Sequence, residues 1–316
     1  MRRIASPAAI NKAFGADCMT LVLSGSEARR TQRPAATVAG CTYNWRMENP
    51  TFASKWALVT GASAGIGEAF ARELAARGSN LVITARRRER LDALARELLQ
   101  QHSIRVEVLI ADLADPAAPS ALCAELDRLG IEIDTLVNNA GYGVSGRFNN
   151  AEWRTHADFL QVMVTAPCEL AYRLLPGMQA RRTGRILNIA SLAGLVPGSA
   201  GNTLYAASKA FLIKFSQSLA MENTLLGIRV CAVCPGFTYS EFHDVTGTRS
   251  LVSRMPRWMW LGSSEVAKQG LDATERGEIV WVTGRVNRLI KTLVKLVPDR
   301  LALRRAQKFS KAFRAQ

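Results

Sequence analysis

The feature that most constrains the fold of this chain is a glycine-rich turn, Thr60-Gly61-Ala62-Ser63-Ala64-Gly65-Ile66-Gly67. The apolar run 56–59 before it predicts a buried strand, and the alanine-rich stretch 68–77 after it predicts an amphipathic helix. A strand, a glycine turn and a helix in this order present free backbone N–H groups and a positive helix end to a pyrophosphate. Taken alone, a glycine triplet is equally compatible with a flexible loop.

Each glycine of this turn has a separate expected role. Gly61 permits the tight turn, Gly65 allows phosphates to approach the backbone, and Gly67 allows the helix to pack closely on the sheet. Ser63 and Ile66 lie in the same turn and are further candidates for contact with a dinucleotide.

Five more motifs follow, and four of them lie where a predicted strand ends. They are Asp112-Leu113 after 105–111, Asn138-Asn139-Ala140-Gly141 after 134–137, Ser191 after 185–190, Tyr205-Ala206-Ala207-Ser208-Lys209 at the start of a helical stretch, and Pro235-Gly236 after 229–234. In this order the motifs resemble the short-chain dehydrogenase/reductase family over about residues 54–284.

The resemblance implies an α/β fold. Strand and helix patterns alternate without a linker, which predicts a single doubly wound Rossmann domain with a parallel sheet flanked by helices. We place this domain at 51–284, after an N-terminal extension (1–50) and before a basic helical tail (285–316).

The net charge of +15 is concentrated at the two ends of the chain. Residues 1–46 contribute +5 and residues 285–316 contribute +9, so the region between them carries about +1. This distribution excludes a uniformly basic surface, and we expect no nucleic-acid partner.

The first 46 residues show no convincing periodicity, and three interpretations stay open: a disordered extension, a targeting peptide, or sequence upstream of the true start near Met47. There is no apolar signal core and no run of eighteen apolar residues. Cys231 and Cys234 form a C-x-x-C pair on a predicted buried strand, but no second Cys/His pair completes a zinc site. We therefore expect reduced buried thiols, no metal, and a cytoplasmic protein.

The C-terminal tail has a clear helical pattern. Its apolar residues recur at three and four positions: Val286, Leu289, Ile290, Leu293, Val294 and Val297. Pro298 ends this helix, and a second basic segment follows at 301–313. Such a stripe is used either for packing on the domain or on a sister subunit, or for lying on an anionic membrane. We expect a homo-oligomer, and peripheral membrane contact is the alternative use of this stripe.

The end of the second predicted strand bears on cofactor choice. In a dinucleotide fold this position meets the adenosine ribose. Here strand 80–84 is followed by Ala85-Arg86-Arg87-Arg88, with no acid before Glu89. A guanidinium group can donate two parallel hydrogen bonds to a phosphate. The arginine cluster therefore favours NADP(H), with Arg86 as the main phosphate ligand and Ser63 as a second. A solvated basic turn is the competing interpretation.

The family resemblance implies the remaining cofactor contacts. These are Asp112, Leu113, Asn138, Ala140, Gly141, Pro235, Gly236, Thr238 and Ser240, together with Tyr205 and Lys209. Among them, Asp112 is implied to bind the adenine amino group, a role compatible with capping the next helix.

Three residues form the predicted catalytic group. Tyr205 is placed to give a proton to a carbonyl oxygen, and Lys209 lies four residues later on the same helix face. We expect the lysine charge to lower the pKa of the phenol by about two or three units and to bind the nicotinamide ribose. Ser191 is implied to hold the substrate oxygen.

The chain departs from the family at one catalytic position. Aligning Leu174-Leu175-Pro176-Gly177-Met178 with the family's leucine-proline segment places its usual asparagine at Met163. Met has no amide to hold the water that relays protons to the lysine. We therefore expect impaired turnover, and an NADP(H)-binding pseudo-enzyme with a regulatory or scaffold role is the alternative function.

The predicted substrate region is apolar. Its candidate lining residues are Tyr142, Val144, Phe148, Leu192, Leu195, Val196, Phe237 and Phe242. The family resemblance implies a substrate lid at 243–262, and a hydrophobic surface that meets the C-terminal helix is the alternative for this segment. The sequence thus predicts an NADP(H)-dependent oxidoreductase that interconverts a carbonyl and an alcohol on a small lipophilic substrate.

Overall fold

A computed structural model describes residues 52–201, 203–239 and 256–309, together with the two-residue strands Thr37–Val38 and Cys41–Thr42. The chain forms two compact units, Met1–Pro50 and Thr51–Gln316. In the first unit the two short strands pair antiparallel, which the sequence did not predict. Our other expectations for residues 1–50, and those for Ser240, Phe242 and most of the predicted lid, lie outside the described residues.

Within the described part of the chain, one parallel sheet has seven strands. Their bounds are β1 Trp56–Thr60, β2 Asn80–Ala85, β3 Val106–Ile110, β4 Ile133–Asn138, β5 Gly184–Ile189, β6 Ile228–Cys234 and β7 Val280–Val282. The strand order is β7-β6-β5-β4-β1-β2-β3, and every neighbouring pair is parallel. This confirms the predicted doubly wound fold.

Helices cover both faces of the sheet. The α-helices of the described residues are α1 Gly65–Ala76, α2 Arg88–Gln101, α3 Ala118–Arg128, α4 Trp153–Leu160, α5 Ala166–Arg181, α6 Thr203–Asn223, α7 Ser263–Glu275, α8 Arg285–Leu296 and α9 Asp299–Phe309. Helices α1, α2 and α7 pack in the core on one face of the sheet, and α3, α5 and α6 pack on the other.

The β1 strand shows how the sequence produces this two-faced core. All five of its residues are buried, as expected for a central parallel strand. Ala57 and Val59 join the core beneath α1, while Leu58 between them joins the core beneath α3. Because side chains alternate along a strand, an uninterrupted apolar run fills both layers.

The position of the functional site follows from strand order. Strand β1 lies between β2 and β4, with β2 and β3 on one side and β4 to β7 on the other. The order of the strands therefore reverses between β1 and β4, and a crevice opens at the carboxyl ends of these two strands. The glycine turn follows β1, and the Asn139-Ala140-Gly141 loop follows β4.

A buried chain of hydrogen bonds joins β4 to β5. Asn138 Nδ2 donates to Asn188 Oδ1 at 2.9 Å and to the Pro167 carbonyl at 3.2 Å. Asn188 Nδ2 donates to Ser216 Oγ at 2.8 Å, and this hydroxyl donates to the Leu212 carbonyl at 2.7 Å. The chain therefore links two strands to helices α5 and α6.

The C-terminal segment forms two helices. The predicted break at Pro298 separates α8 from α9. Asn287 on α8 is buried, so one face of this helix packs on the domain. No helix in the described ranges is long and apolar enough to cross a membrane.

Candidate active site

The glycine turn is held against the loop that follows β4. Gly61 has φ +66°, and a Cβ at this position would lie 2.8 Å from Ala140 Cα. Thr60 Oγ1 accepts the backbone N–H groups of Asn139 and Ala140, each at 3.0 Å. Asn139 Nδ2 returns a hydrogen bond to the Thr60 carbonyl at 2.9 Å. Only glycine fits such a close approach with a left-handed backbone.

A cavity of about 960 Å³ opens at this point. It brings together most of the residues that the sequence singled out: Gly61, Ser63, Gly65, Ile66, Arg86, Asp112, Leu113, Ala140, Gly141, Ser191, Tyr205, Lys209, Pro235, Gly236 and Thr238. Two predicted residues lie elsewhere. Gly67 packs beneath the turn, close to the Asn139 side chain, and Asn138 is turned into the sheet. The neighbouring Asn139 lines the cavity instead.

The arginines after β2 line the same cavity. Arg87 donates to Ser63 Oγ from Nε at 3.2 Å and from Nη2 at 3.1 Å. Arg86 is 73% exposed, and its Nη1 lies 3.9 Å from Asp112 Oδ2. The sequence emphasised Arg86 and Ser63 but did not single out Arg87, which the structure places directly on Ser63.

Ser191 is positioned by the short turn that follows β5. Its Oγ accepts the Ala193 N–H at 3.1 Å and lies 3.5 Å from the Pro235 carbonyl. Gly194 closes this turn against α6, where a Cβ would lie 2.7 Å from the backbone of Lys209 and Ala210. This close approach brings Ser191 into hydrogen-bond contact with Tyr205.

Burial dominates the electrostatics of the predicted catalytic group. It raises the pKa of Tyr205, and the hydrogen bond with Ser191 lowers that pKa by less. The expectation that Lys209 lowers the tyrosine pKa is therefore wrong for this arrangement, in which Lys209 Nζ lies 5.7 Å from the Tyr205 ring centroid. Desolvation outweighs any charge effect here.

Lys209 is itself strongly desolvated. It is 5% exposed, and its Nζ donates to the Ile189 carbonyl at 2.6 Å. Burial lowers the pKa of Lys209 from 10.5 to about 8. The ammonium group is therefore close to its titration range at mildly alkaline pH, a property that the Tyr-x-x-x-Lys spacing did not indicate.

Met163 lies in a π-helical turn, Gln161–Thr165, between α4 and α5. The Ala166 N–H bonds to the Gln161 carbonyl, five residues earlier in the chain. Met163 is 1% exposed, lines the cavity, and packs its sulfur against Gly141. The thioether thus occupies this position with an apolar group.

The lining of the cavity is mainly apolar. Of the candidate substrate residues, Tyr142, Leu192, Val196 and Phe237 line it, whereas Val144, Phe148 and Leu195 do not. From the predicted lid, Met259 lines the cavity, and the Trp260 ring stacks on Tyr239 with centroids 4.7 Å apart.

Sequence reasoning missed the contribution of α8. Asn287 and Ile290 line the cavity, and Asn287 Nδ2 donates to the Thr283 carbonyl at 2.9 Å. The apolar spacing of the tail indicated packing, but it did not indicate which surface the helix would meet.

The residues present fit a phosphorylated dinucleotide. The N-terminus of α1 faces the cavity through Ala64, Gly65 and Ile66, and the N-cap residue Ala64 makes no side-chain bond to its N–H groups. These groups and the helix dipole suit a pyrophosphate. Arg86 and Arg87 add two cations at the carboxyl end of β2, where a ribose phosphate would lie.

A family profile described as short chain dehydrogenase matches residues 55–249. The chain therefore belongs to the short-chain dehydrogenase/reductase family, as its motifs predicted. The protein is an oxidoreductase of this family, and its relatives give no support to the pseudo-enzyme alternative.

Similarity to individual proteins extends over most of the domain. The very-long-chain 3-oxoacyl-CoA reductase of Anas platyrhynchos is 36% identical over 196 residues, 60% of this chain and 62% of that protein, less than two thirds of its length. The 3-oxoacyl-[acyl-carrier-protein] reductase FabG of Escherichia coli (strain K12) is 33% identical over 239 residues, 74% of this chain and 94% of that one. A short-chain dehydrogenase from Sphingobium yanoikuyae in complex with NADPH is 32% identical, with a TM-score of 0.67 over 78% of this chain and 97% of that one.

Proposed function

We propose that this protein is an NADPH-dependent reductase of lipophilic ketones, with Ser191, Tyr205 and Lys209 as its reacting and binding residues. The observation that carries the proposal is the convergence of these three side chains in one cavity with the glycine turn and two arginines. NADP(H) is the cofactor that this set of residues fits, and the solved relative from Sphingobium yanoikuyae contains NADPH.

The proposed mechanism assigns proton chemistry to the protein. When bound, NADPH supplies a hydride to the carbonyl carbon. Ser191 Oγ donates a hydrogen bond to the carbonyl oxygen and holds it beside Tyr205. Tyr205 gives its phenolic proton to that oxygen, which leaves an alcohol and a tyrosinate that is reprotonated from solvent.

The protonation state of the buried phenol suits the reductive step. Because burial raises the pKa of Tyr205, the phenol keeps its proton at neutral pH. A protonated tyrosine serves as an acid in reduction, whereas oxidation of an alcohol requires its base form. We therefore propose that Tyr205 is already in the acid form that the reductive step needs at neutral pH, whereas the oxidative step requires its deprotonation. Lys209 is proposed to bind the ribose hydroxyls of the nicotinamide half of the cofactor through its ammonium group.

The substrate class is proposed from the lining of the cavity and from the relatives. Tyr142, Leu192, Val196, Phe237 and Met259 give the outer cavity an apolar wall. Two relatives are named as reductases of 3-oxoacyl thioesters. A 3-oxoacyl thioester with a long acyl chain joins a ketone to an apolar tail and is the first substrate to test.

Turnover of NADPH with purified protein tests the proposal. The substrates are 3-oxoacyl-CoA thioesters of increasing chain length, and the signal is loss of reduced-nicotinamide absorbance. Burial of each added CH₂ is worth ~0.8 kcal/mol, so kcat/KM should rise about fourfold per methylene until the cavity is full. A preference for sugar ketones over acyl substrates would overturn the lipophilic assignment.

Tyr205→Phe tests the acid. We expect a loss of about 100-fold or more in kcat, because general acid catalysis contributes ~10²–10⁴-fold. Tyr172→Phe is the matched control, since Tyr172 is 79% exposed and lies outside the cavity. Unchanged turnover in Tyr205→Phe would show that another group donates the proton.

We also propose a homo-oligomer and a cytoplasmic location. Large apolar side chains are exposed on α5, on α6 and in the turn after α6, namely Tyr172, Met221 and Leu225, and these suit a subunit contact. Free thiols at Cys231 and Cys234 suit a reducing compartment. Sedimentation velocity tests the oligomer. We also propose peripheral membrane contact through helix α8 in the C-terminal segment.

A further inference from the structure

Helix α8 has two faces with different surroundings. One face carries Asn287 and Ile290, which line the catalytic cavity. The other carries Leu289, Leu293 and Leu296, which are 59%, 53% and 75% exposed. Their spacing of four and three residues places the leucines in one stripe along the helix. The stripe therefore faces away from the domain, although its residues are strongly apolar.

The charge around this leucine stripe is of one sign. From Arg285 to Phe309, eight Lys or Arg residues accompany a single acid, Asp299. Lys295 is exposed on α8, and Arg300, Arg304 and Arg305 are exposed on α9. Exposed leucines with basic residues around them are typical of helices that lie at an anionic lipid surface.

A second copy of the chain is a poorer occupant of this face. Contact between two leucine stripes would bring two equally basic surfaces together, and like charges across an interface disfavour association. An anionic bilayer accepts the leucines in its acyl region and neutralises the basic residues at its headgroups. Charge complementarity thus selects the bilayer.

We infer that α8 docks on an anionic membrane through Leu289, Leu293 and Leu296, with the basic residues of α8 and α9 at the lipid headgroups. Since the same helix carries Ile290 in the cavity, docking places the cavity next to the bilayer. A lipophilic substrate then enters from the membrane. This entry route rests on the proposed function, whereas the docking itself does not.

Vesicle sedimentation of the full chain with NADPH tests the docking. The vesicles are phosphatidylcholine alone or phosphatidylcholine with phosphatidylglycerol. We expect about tenfold or greater preference for the anionic vesicles, since each basic residue near such a surface adds attraction. Raising salt from ~0.1 M to ~1 M should weaken binding, because the Debye length falls from ~10 Å to ~3 Å.

Two matched variants isolate the leucine stripe. Leu293→Gln should weaken vesicle binding about tenfold, because it removes apolar burial in the bilayer. Leu99→Gln should leave binding unchanged, since Leu99 is 49% exposed on α2, away from the stripe. The combined variant Leu289→Gln, Leu293→Gln, Leu296→Gln should lose vesicle binding and keep wild-type turnover of a short, water-soluble ketone.

Several outcomes would overturn the docking. One is equal binding of the wild type to neutral and anionic vesicles, and another is unchanged binding of the combined variant. A third is wild-type protein that binds no vesicles but forms an oligomer that the combined variant splits, which would assign the face to a second copy. Absence of turnover in wild-type protein that still binds vesicles would instead count against the proposed function alone.

Discussion

Lys209 is predicted to reduce the stability of the folded protein at neutral pH, because its ammonium group is buried. The residue is 5% exposed, and its Nζ has the Ile189 carbonyl as a hydrogen-bond acceptor. Lys209→Met keeps nearly the same side-chain length and removes the charge. The substitution also leaves the Ile189 carbonyl without this donor, which costs ~1–3 kcal/mol.

The size and sign of the effect follow from the pKa of Lys209, which burial lowers from 10.5 to about 8. Between these two pH values the unfolded chain binds more protons at this position than the folded chain, so stability rises with pH. Below pH ~8 the folded state carries the full penalty, which is ~3 kcal/mol. Between pH ~7 and ~9.5 about 2 kcal/mol of this penalty is relieved.

Urea unfolding of the wild type and of Lys209→Met, at both pH values and without cofactor, measures this penalty. Other titrating groups are common to the two proteins, so the difference between them isolates Lys209. We expect the wild type to gain ~2 kcal/mol relative to the variant on going to the higher pH. At neutral pH the variant should be at least as stable as the wild type, while its turnover is lost.

Lys214→Met is the control, because Lys214 is an exposed lysine on the same helix. It should leave both the stability and its pH dependence unchanged. The reasoning is refuted if the stability difference between wild type and Lys209→Met is the same at both pH values. It is also refuted if the variant is clearly less stable than the wild type at neutral pH, because relief of the ~3 kcal/mol charge penalty should at least offset the ~1–3 kcal/mol cost of the unpaired carbonyl.

Two further substitutions probe the cavity. Arg87→Ala should weaken NADPH binding about tenfold and leave NADH binding nearly unchanged, since a charge-assisted hydrogen bond is worth ~1.5–3 kcal/mol and screening reduces this at an exposed site. Arg88→Ala is the control, because Arg88 does not line the cavity; equal losses for both cofactors, measured by calorimetry, would contradict the phosphate role. Met163→Asn should raise kcat several-fold at an unchanged NADPH dissociation constant, because an amide can hold a proton-relay water; an unchanged or lower kcat in stopped-flow assays would show that Met163 does not limit proton return.

The elements that the sequence predicted well are those that local chemistry specifies. Strand β1 is an uninterrupted apolar run followed by Gly61, whose left-handed backbone and close contact with Ala140 require glycine. The predicted boundaries of β1 to β6 agree with the structure to within about one residue, because apolar side chains predominate in these strands and turn residues follow them.

Contacts between distant segments were harder to predict. Adjacent asparagines point in opposite directions at the end of β4, so Asn138 enters the sheet while Asn139 reaches the cavity. Periodicity does not reveal a π-helical turn such as the one that contains Met163. Spacing likewise does not report desolvation, which is why the pKa of Tyr205 is raised where the sequence predicted a lower one.

The hydrogen-bonded chain from Asn138 through Asn188 to Ser216 fixes the alignment of two strands on which the reaction depends. Pairing of Asn138 with Asn188 sets the register between β4 and β5. A slip by one residue would break the bonds of Asn188 to Asn138 and Ser216, leaving the buried Asn188 amide without these partners. It would also move the end of one strand by ~3.3 Å relative to the other. The loop containing Asn139 follows one strand and Ser191 follows the other, so such a slip would separate the cofactor-binding wall from the group that holds the substrate oxygen. The buried polar groups thus fix the offset between the two strands along their axes, and with it the position of the cofactor-binding loop relative to Ser191.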